Sequence, residues 1–439
     1  MTVPPTPHSP PALLRDLFDT AVAAAHPRLC LPAHLPAPPE RGRLLVLAAG
    51  KAAGSMAEVA EAHYLDTLGL AAGRLHGLAV ARHGYGRPTR VVRMVEAGHP
   101  VPDLAGLAAT ADTLRLAQAA GADDLVLVLL SGGASANWIA PAAGLTLADK
   151  QAVTSALLAS GAQIGEINAV RKHLSRIKGG RLARAARPAR LVTLAISDVP
   201  GDDPAVIGSG PTVVDATTLA DARAVLAKYN IAAPEAVHRV LDDPASESVK
   251  ADDPVLQGTI FGLIARPTDA LAAAAAQARE AGYEPILLGD RLEGEARDVA
   301  AAHARQAREL AQTGRRAVLI SGGELTVTLR GGGTGSGRGG PNQEYALALA
   351  IALGGLPGVH ALAGDTDGTD GGGGSADDPA GAWCGPGTLA RARALGLDPA
   401  AALAANDSTG FFETLGDLLR TGPTYTNVND FRAILIDRP

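Results

Sequence analysis

Three stretches, residues 43–49 (RLLVLAA), 124–130 (DLVLVLL) and 190–196 (RLVTLAI), are apolar at consecutive positions, and each breaks off into Gly, Ser or Asp. A strand of that kind is buried on both faces, so its sheet carries helices above and below, as parallel α/β sheets do. The helices are at hand: RLLVLAA runs through Gly50-Lys51 into AAGSMAEVAEAHYLDTL, which has helical composition. Aromatic residues make up only 3% of the chain, so the core must be built from Ala, Val, Leu and Ile, and 52 Gly and 30 Pro imply many tight turns.

A chain of 439 residues suggests two or three domains. The stretch LDDPASESVKADDP at 241–254 resists helix and strand alike, and the domain boundary is placed there, giving 1–245 and 246–439. The second part repeats the α/β pattern: an Ala-rich helix over 269–282, a strand over 284–288, a long helix to Thr313, a strand over 316–320, and SGGELTVTLRG, which reads as a strand pair. Positions 331–340 (GGGTGSGRGG) lead directly into a helix, NQEYALALAIAL, and are either a linker or a ligand loop.

A net charge of −6 argues against a free polyanion-binding surface. Cys30 and Cys384 fit neither a disulfide framework nor a zinc site. No secretion signal is readable, and the most apolar stretch, 345–364, is interrupted by Gly354, Gly355 and Pro357, so no membrane span is expected and the location expected is cytoplasmic.

Strand ends followed by glycine and a helix suit phosphate, because backbone N–H groups and the positive helix end converge there. The first such corner, Gly50-Lys51-Ala52-Ala53-Gly54-Ser55, is neither Walker A nor GxGxxG; Lys51 is either solvated or placed to meet a phosphoryl group. The second, Ser131-Gly132-Gly133-Ala134-Ser135, does not fit the GxSxG nucleophile elbow. The third holds Arg338 and ends at Asn342, Gln343 and Glu344, where Asn342 is either an N-cap or a ligand contact. Residues 168–181 (NAVRKHLSRIKGGR) carry a dense run of Lys and Arg; on one helix, Arg171 with Lys178 and Lys172 with Arg176 share faces. Without aromatic stacking positions, a small anion suits this basic face better than nucleic acid. Asp198, in SDVPGDDP, and Asp367, in GDTDGTDG, follow strands and are candidates for holding magnesium or accepting a proton, against a plain turn-forming role. Together these point to phosphoryl transfer from a nucleotide.

GHPVPD at 98–103, LSGGASA at 130–136, NAVRKHLSRIKGGRLA from Asn168, SDVPGDDPAVIGSGPTVVD from Ser197, GDTDGTDG from Gly364 and GPTYTNVND from Gly422 closely resemble the glycerate 2-kinase family, across nearly the whole chain after Pro11. The resemblance implies an N-terminal Rossmann-like parallel-sheet domain and a smaller C-terminal α/β MOFRL domain with a mixed sheet. It also implies a cleft between them, where ATP and Mg2+ serve phosphorylation of D-glycerate to 2-phosphoglycerate. It assigns Lys51 to the phosphoryl group and Gly50, Ser131, Gly132, Gly133, Ser135, Asn342 and Glu344 to the nucleotide. Asn168, Arg171 and Lys172 are assigned to glycerate, and Asp198 and Asp367 to metal, with Asp198 also a catalytic candidate. Pro341 stands where the family pattern often has arginine, so Arg338 is the expected substitute. The expected partners are glycerate and ATP, with a homodimer left open. The alternative is an NAD(P)H-dependent hydroxypyruvate reductase, a label some family members carry.

Overall fold

The computed structural model describes residues 9–329, 337–371 and 375–437. Two compact units are formed: Cys30–Ile264 is one, and the segment up to Leu29 with the chain from Ala265 is the other.

The Cys30–Ile264 unit is built on β1 (Leu44–Ala49), β2 (Leu75–Arg82), β3 (Arg93–Ala97), β4 (Leu125–Leu130), β5 (Arg190–Ile196) and β6 (Ile260–Ala265), in the order β3-β2-β1-β4-β5-β6. The sheet is parallel, with Leu44 opposite Leu75 and Leu125, and Leu130 opposite Ala195. Every residue of β1 and β4 is buried, as consecutive apolar positions require when helices cover both faces. Strand order reverses between β1 and β4, and in sheets of this kind ligands bind beyond the strand C-termini at that point.

The second unit holds β7 (Glu284–Gly289), β8 (Glu293–Glu295), β9 (Ala317–Ser321), β10 (Glu324–Thr326), β11 (Val359–Asp365), β12 (Gly381–Cys384), β13 (Leu418–Leu419) and β14 (Asp430–Ile436). Its main sheet is mixed, in the order β13-β12-β11-β14-β9-β7, with β7 and β9 parallel and the other neighbours antiparallel. Among the described residues of SGGELTVTLRG, β10 forms but does not pair within the segment. The chain turns at Gly322-Gly323, and β10 pairs in parallel with β8 in a separate two-stranded sheet.

Small residues replace aromatics in the packing. Helix Ala296–Gln312 presents Ala296, Ala300, Ala304 and Ala307 on one face, and these share a core with the nearly buried helix Pro341–Leu353. The N-terminal helix Pro10–Ala24 also belongs here: Phe18 meets Phe431 edge-on at 6.0 Å, and Thr426 donates to the Ala25 carbonyl at 2.7 Å.

Candidate functional site

In the Cys30–Ile264 unit, the loops after β1 and β4 are locked together at the switch point. The Lys51 N–H donates to Gly132 O at 2.8 Å, the Ala52 N–H to Ser131 Oγ at 2.9 Å, and the Ser131 N–H to Ala49 O at 3.1 Å. Gly50 has φ +117°, and a Cβ there would stand 2.4 Å from Ser131 Oγ. Only glycine fits, on backbone conformation and on space. Gly50→Ala is therefore expected to destabilise the chain by about 2–5 kcal/mol, the sum of backbone strain and overpacking, read as a shift in the urea midpoint.

Lys51 leaves this turn across Gly133, where a Cβ would lie 3.4 Å from Lys51 Cγ and 2.9 Å from the His99 ring. Further along the same loop, the Ser135 and Ser209 hydroxyls meet at 2.6 Å, and Lys178 Nζ donates to Ser135 O at 2.8 Å. Lys51, His99, Ser135, Ser209 and Lys178 thus gather on one loop. Asp198 is half-buried two residues beyond β5, and it stands three positions past Ala195 as Gly133 stands three past the paired Leu130.

The basic stretch is not one helix, as its pattern suggested. The helix Ile164–His173 ends, and Lys178 follows in a turn before the helix Arg181–Ala186. Arg171 and Lys178 nevertheless come close enough for the Arg171 charge to act on Lys178. Burial, then Arg171, then Lys150 hold the Lys178 ammonium well below its ordinary pKa; burial, Arg171 and Arg181 do the same to Lys150. Lys150 donates to the carbonyls of Arg171 and Leu174, and Arg171 to Asn168 Oδ1 at 3.4 Å. Among the described residues none of these three cations has a carboxylate partner. Lys172 does: its Nζ lies 3.2 Å from Asp215 Oδ1, and both side chains are buried. Lys150, His99 and Ser209 were not singled out by sequence. Lys178 falls on the basic face read from sequence, without a role assigned to it, and His99 and Ser209 lie within the motifs GHPVPD and SDVPGDDPAVIGSGPTVVD.

The second unit brings other predicted residues together. Asp370 accepts from the backbone N–H groups of Asn342 at 3.0 Å and Gln343 at 2.8 Å, satisfying the start of helix Pro341–Leu353. Asn342 Nδ2 bridges Asp370 Oδ1 at 3.2 Å and Asp430 Oδ1 at 2.6 Å. Asn342 is not the N-cap, which is Gly340; Pro341 takes the first helical position, where a missing N–H costs nothing. Glu344 is buried against Arg297 at 2.6 Å, and Asn406 donates to it at 2.9 Å. Asp367 Oδ1 accepts from the Thr369 N–H at 2.8 Å and its hydroxyl at 3.0 Å. Arg338 is exposed and paired with Glu413 at 2.6 Å; residues 330–336 of the glycine loop lie outside the described residues.

Burial pushes the Asp370 carboxyl up to about 7, with the Asn342 N–H opposing and Asp430 adding to the shift. Its native pKa lies above the ordinary 3.8, so between these values the folded chain holds the proton that the unfolded chain has lost. The resulting stability is fully present below the lower value and is lost as pH rises through the upper one. Asp370→Asn should remove this slope, so that wild type loses up to about 1.4 kcal/mol per pH unit relative to the variant between roughly pH 4 and 7. Urea unfolding of both across that range measures it.

A divalent cation caged wholly by protein would need several carboxylates together, and among the described residues no group of three His, Cys, Asp or Glu is placed to hold one. Magnesium carried on nucleotide phosphates needs only one or two. Asp198, two residues past β5, and Asp367, two residues past β11, each bring one carboxylate to a strand end.

A doubly covered parallel sheet with a lysine in the turn at its switch point defines an α/β protein of the kind that binds ligands beyond its strand C-termini. Comparisons with known proteins carry this further. The model for a domain of unknown function (DUF4147) matches residues 13–242, and that for the MOFRL family matches 317–430. A D-glycerate 2-kinase of Thermotoga maritima is 40% identical over 393 residues, covering 88% of this chain and 89% of its own. A protein of Agrobacterium vitis named "Putative hydroxypyruvate reductase" is 50% identical over 428 residues, covering 97% and 94%. The crystal structure of glycerate kinase from Thermotoga maritima matches with a TM-score of 0.83 at 38% identity, covering 97% of this chain and 98% of that one. The chain belongs to the glycerate kinase family, with a DUF4147 domain followed by a MOFRL domain. No helix among the described residues is long and apolar enough to cross a membrane.

Proposed function

We propose that this chain transfers the γ-phosphoryl group of ATP to D-glycerate, giving 2-phosphoglycerate and ADP. The observation that carries the reading is Lys51 laid across Gly133 at the switch point, on the same loop that holds buried Lys178. In the step, the glycerate 2-hydroxyl oxygen bonds to the γ-phosphorus, the bond to the β–γ bridging oxygen breaks, ADP leaves, and the hydroxyl proton passes to a carboxylate. Asp198 and Asp367 are the candidates for that proton and for Mg2+, which when bound to the phosphates neutralises their charge.

Each residue has a task in this reading. The Gly50 and Ser131–Gly133 backbones let phosphate approach closely, and Lys51 meets the charge of the phosphoryl group in flight. Arg171 with Asn168, and Lys178, receive the glycerate carboxylate; a bound anion draws the buried ammonium back to its charged form. Lys172, held by Asp215, positions its helix. In the second unit, Asn342 and Glu344 shape the start of helix Pro341–Leu353 for the nucleotide, and Arg338 is the nearest arginine to the Pro341 position.

The reductase reading is favoured by the name of the Agrobacterium relative and by the strand order, which nicotinamide-binding sheets share. Against it, the turn after β1 reads GKAAGS, with lysine and alanines where the dinucleotide turn needs glycines. The test incubates the full chain with D-glycerate, ATP and Mg2+, and separately with hydroxypyruvate and NADH or NADPH. ADP release that requires glycerate, with 2-phosphoglycerate as product, supports the kinase; nicotinamide oxidation without ADP overturns it.

A further inference from the structure

Away from the switch point, the Cys30–Ile264 unit has a surface cavity of about 630 Å³ lined by five arginines, Arg115, Arg176, Arg181, Arg184 and Arg187, and by no aspartate or glutamate. Its size suits a metabolite-sized ligand. In a chain of net charge −6 such a one-signed lining runs against the average. Half of the rest of the wall is alanine, a surface for a short carbon body.

The guanidinium groups are not consumed by ion pairs. Arg176 donates from Nε to Pro141 O at 3.0 Å, and this is its one contact among the described residues, out of five donors. Arg181 is held by the carbonyls of Lys172, Lys178 and Ser246, and Arg187 by those of Pro254, Val255 and Gln257. Carbonyls fix these side chains without cancelling their charge. Only Arg115, with Asp112, and Arg184, with Asp253 at 2.9 Å, meet carboxylates. The buried His173 at the inner wall pairs with Glu247 at 2.8 Å.

The cavity is also separate from the phosphate corner. Arg115 lies in the last turn of helix Leu104–Gln118, and Arg187 shortly before β5 begins, so this lining faces the edge of the sheet opposite the strand C-termini. None of Lys51, Ser131 to Ser135 or Asp198 lines it.

We propose that this cavity is a second anion site, which takes a small organic phosphate. Guanidinium forks match phosphate oxygens two at a time, and arginine lets several such forks converge on one group. Arg181 joins the cavity to the backbone of Lys178, so the ligand sits one side chain away from the cationic cluster.

The test is calorimetric titration of the full chain with inorganic pyrophosphate in metal-free buffer, for wild type, Lys51→Ala, Arg115→Gln and Arg176→Gln. These two arginines are exposed and are chosen because their loss leaves packing intact, which circular dichroism checks. A saturable event that persists in Lys51→Ala and weakens about tenfold in each arginine variant is expected, the loss of one charged hydrogen bond apiece. An event lost with Lys51→Ala and unmoved by the arginine variants, or no saturable binding at millimolar pyrophosphate, overturns the proposal.

Discussion

Lys51→Ala should lower glycerate-dependent ADP release by about 10²–10³-fold, the usual loss when one preorganised charge at a transferring group is removed. The turn itself should survive. Its bonds to Gly132 and Ser131 run through the backbone of Lys51 and Ala52 and through the Ser131 hydroxyl, all of which the variant keeps. Unfolding midpoints are therefore expected to stay within about 1 kcal/mol of wild type, as for a partly exposed side chain outside the core. Lys51→Arg should recover little, because the space over Gly133 is shared with the His99 ring and a broader planar group has to displace it. Unchanged kcat in Lys51→Ala would place phosphoryl transfer elsewhere in the molecule.

The second large effect is expected at Lys178, where function and stability should part. Lys178→Met removes a fully buried amine whose one side-chain hydrogen-bond partner among the described residues is a carbonyl and whose ammonium form Arg171 and Lys150 disfavour. The interior then no longer bears the cost of holding that group desolvated beside like charges, so the variant should be as stable as wild type or more so. The same change removes a charge-assisted contact to the substrate carboxylate, worth about 1.5–3 kcal/mol, so KM for glycerate should rise roughly 10–100-fold. A merely structural lysine would give the reverse, a lower melting point with KM unmoved.

Much of the first unit was legible because its strands are written in the plainest code available. Six consecutive buried positions in LVLVLL admit no other sheet, and Gly50-Lys51 marks where β1 ends. What the sequence did not yield was which cations do what. Lys172 and Lys178 both sit in one basic run, yet Asp215, more than forty positions on, neutralises Lys172 and leaves Lys178 to its cationic neighbours. Partner choice at that separation is set by tertiary packing. The same holds in the second unit, where the resemblance assigns Asn342 and Glu344 to the nucleotide. Their immediate partners, Asp370, Asp430, Arg297 and Asn406, come from elements with no local mark in NQEYALAL. The β10 strand failed for a related reason: ELTVTL has strand composition, but composition does not name the neighbour, and β8 is only three residues long.

The placement of helix Pro10–Ala24 bears on how the chain is made. Thr426 reaches Ala25 across 401 positions, so a helix translated ahead of the Cys30–Ile264 unit belongs to a sheet finished after it. The unit Cys30–Ile264 is contiguous and can close as it emerges, whereas the helix ahead of it must stay unpaired until β14 is released. Its exposed Leu13, Leu14, Leu17 and Phe18 are then a natural substrate for chaperones throughout translation. Removing the leading segment would cripple the half of the protein encoded farthest from it.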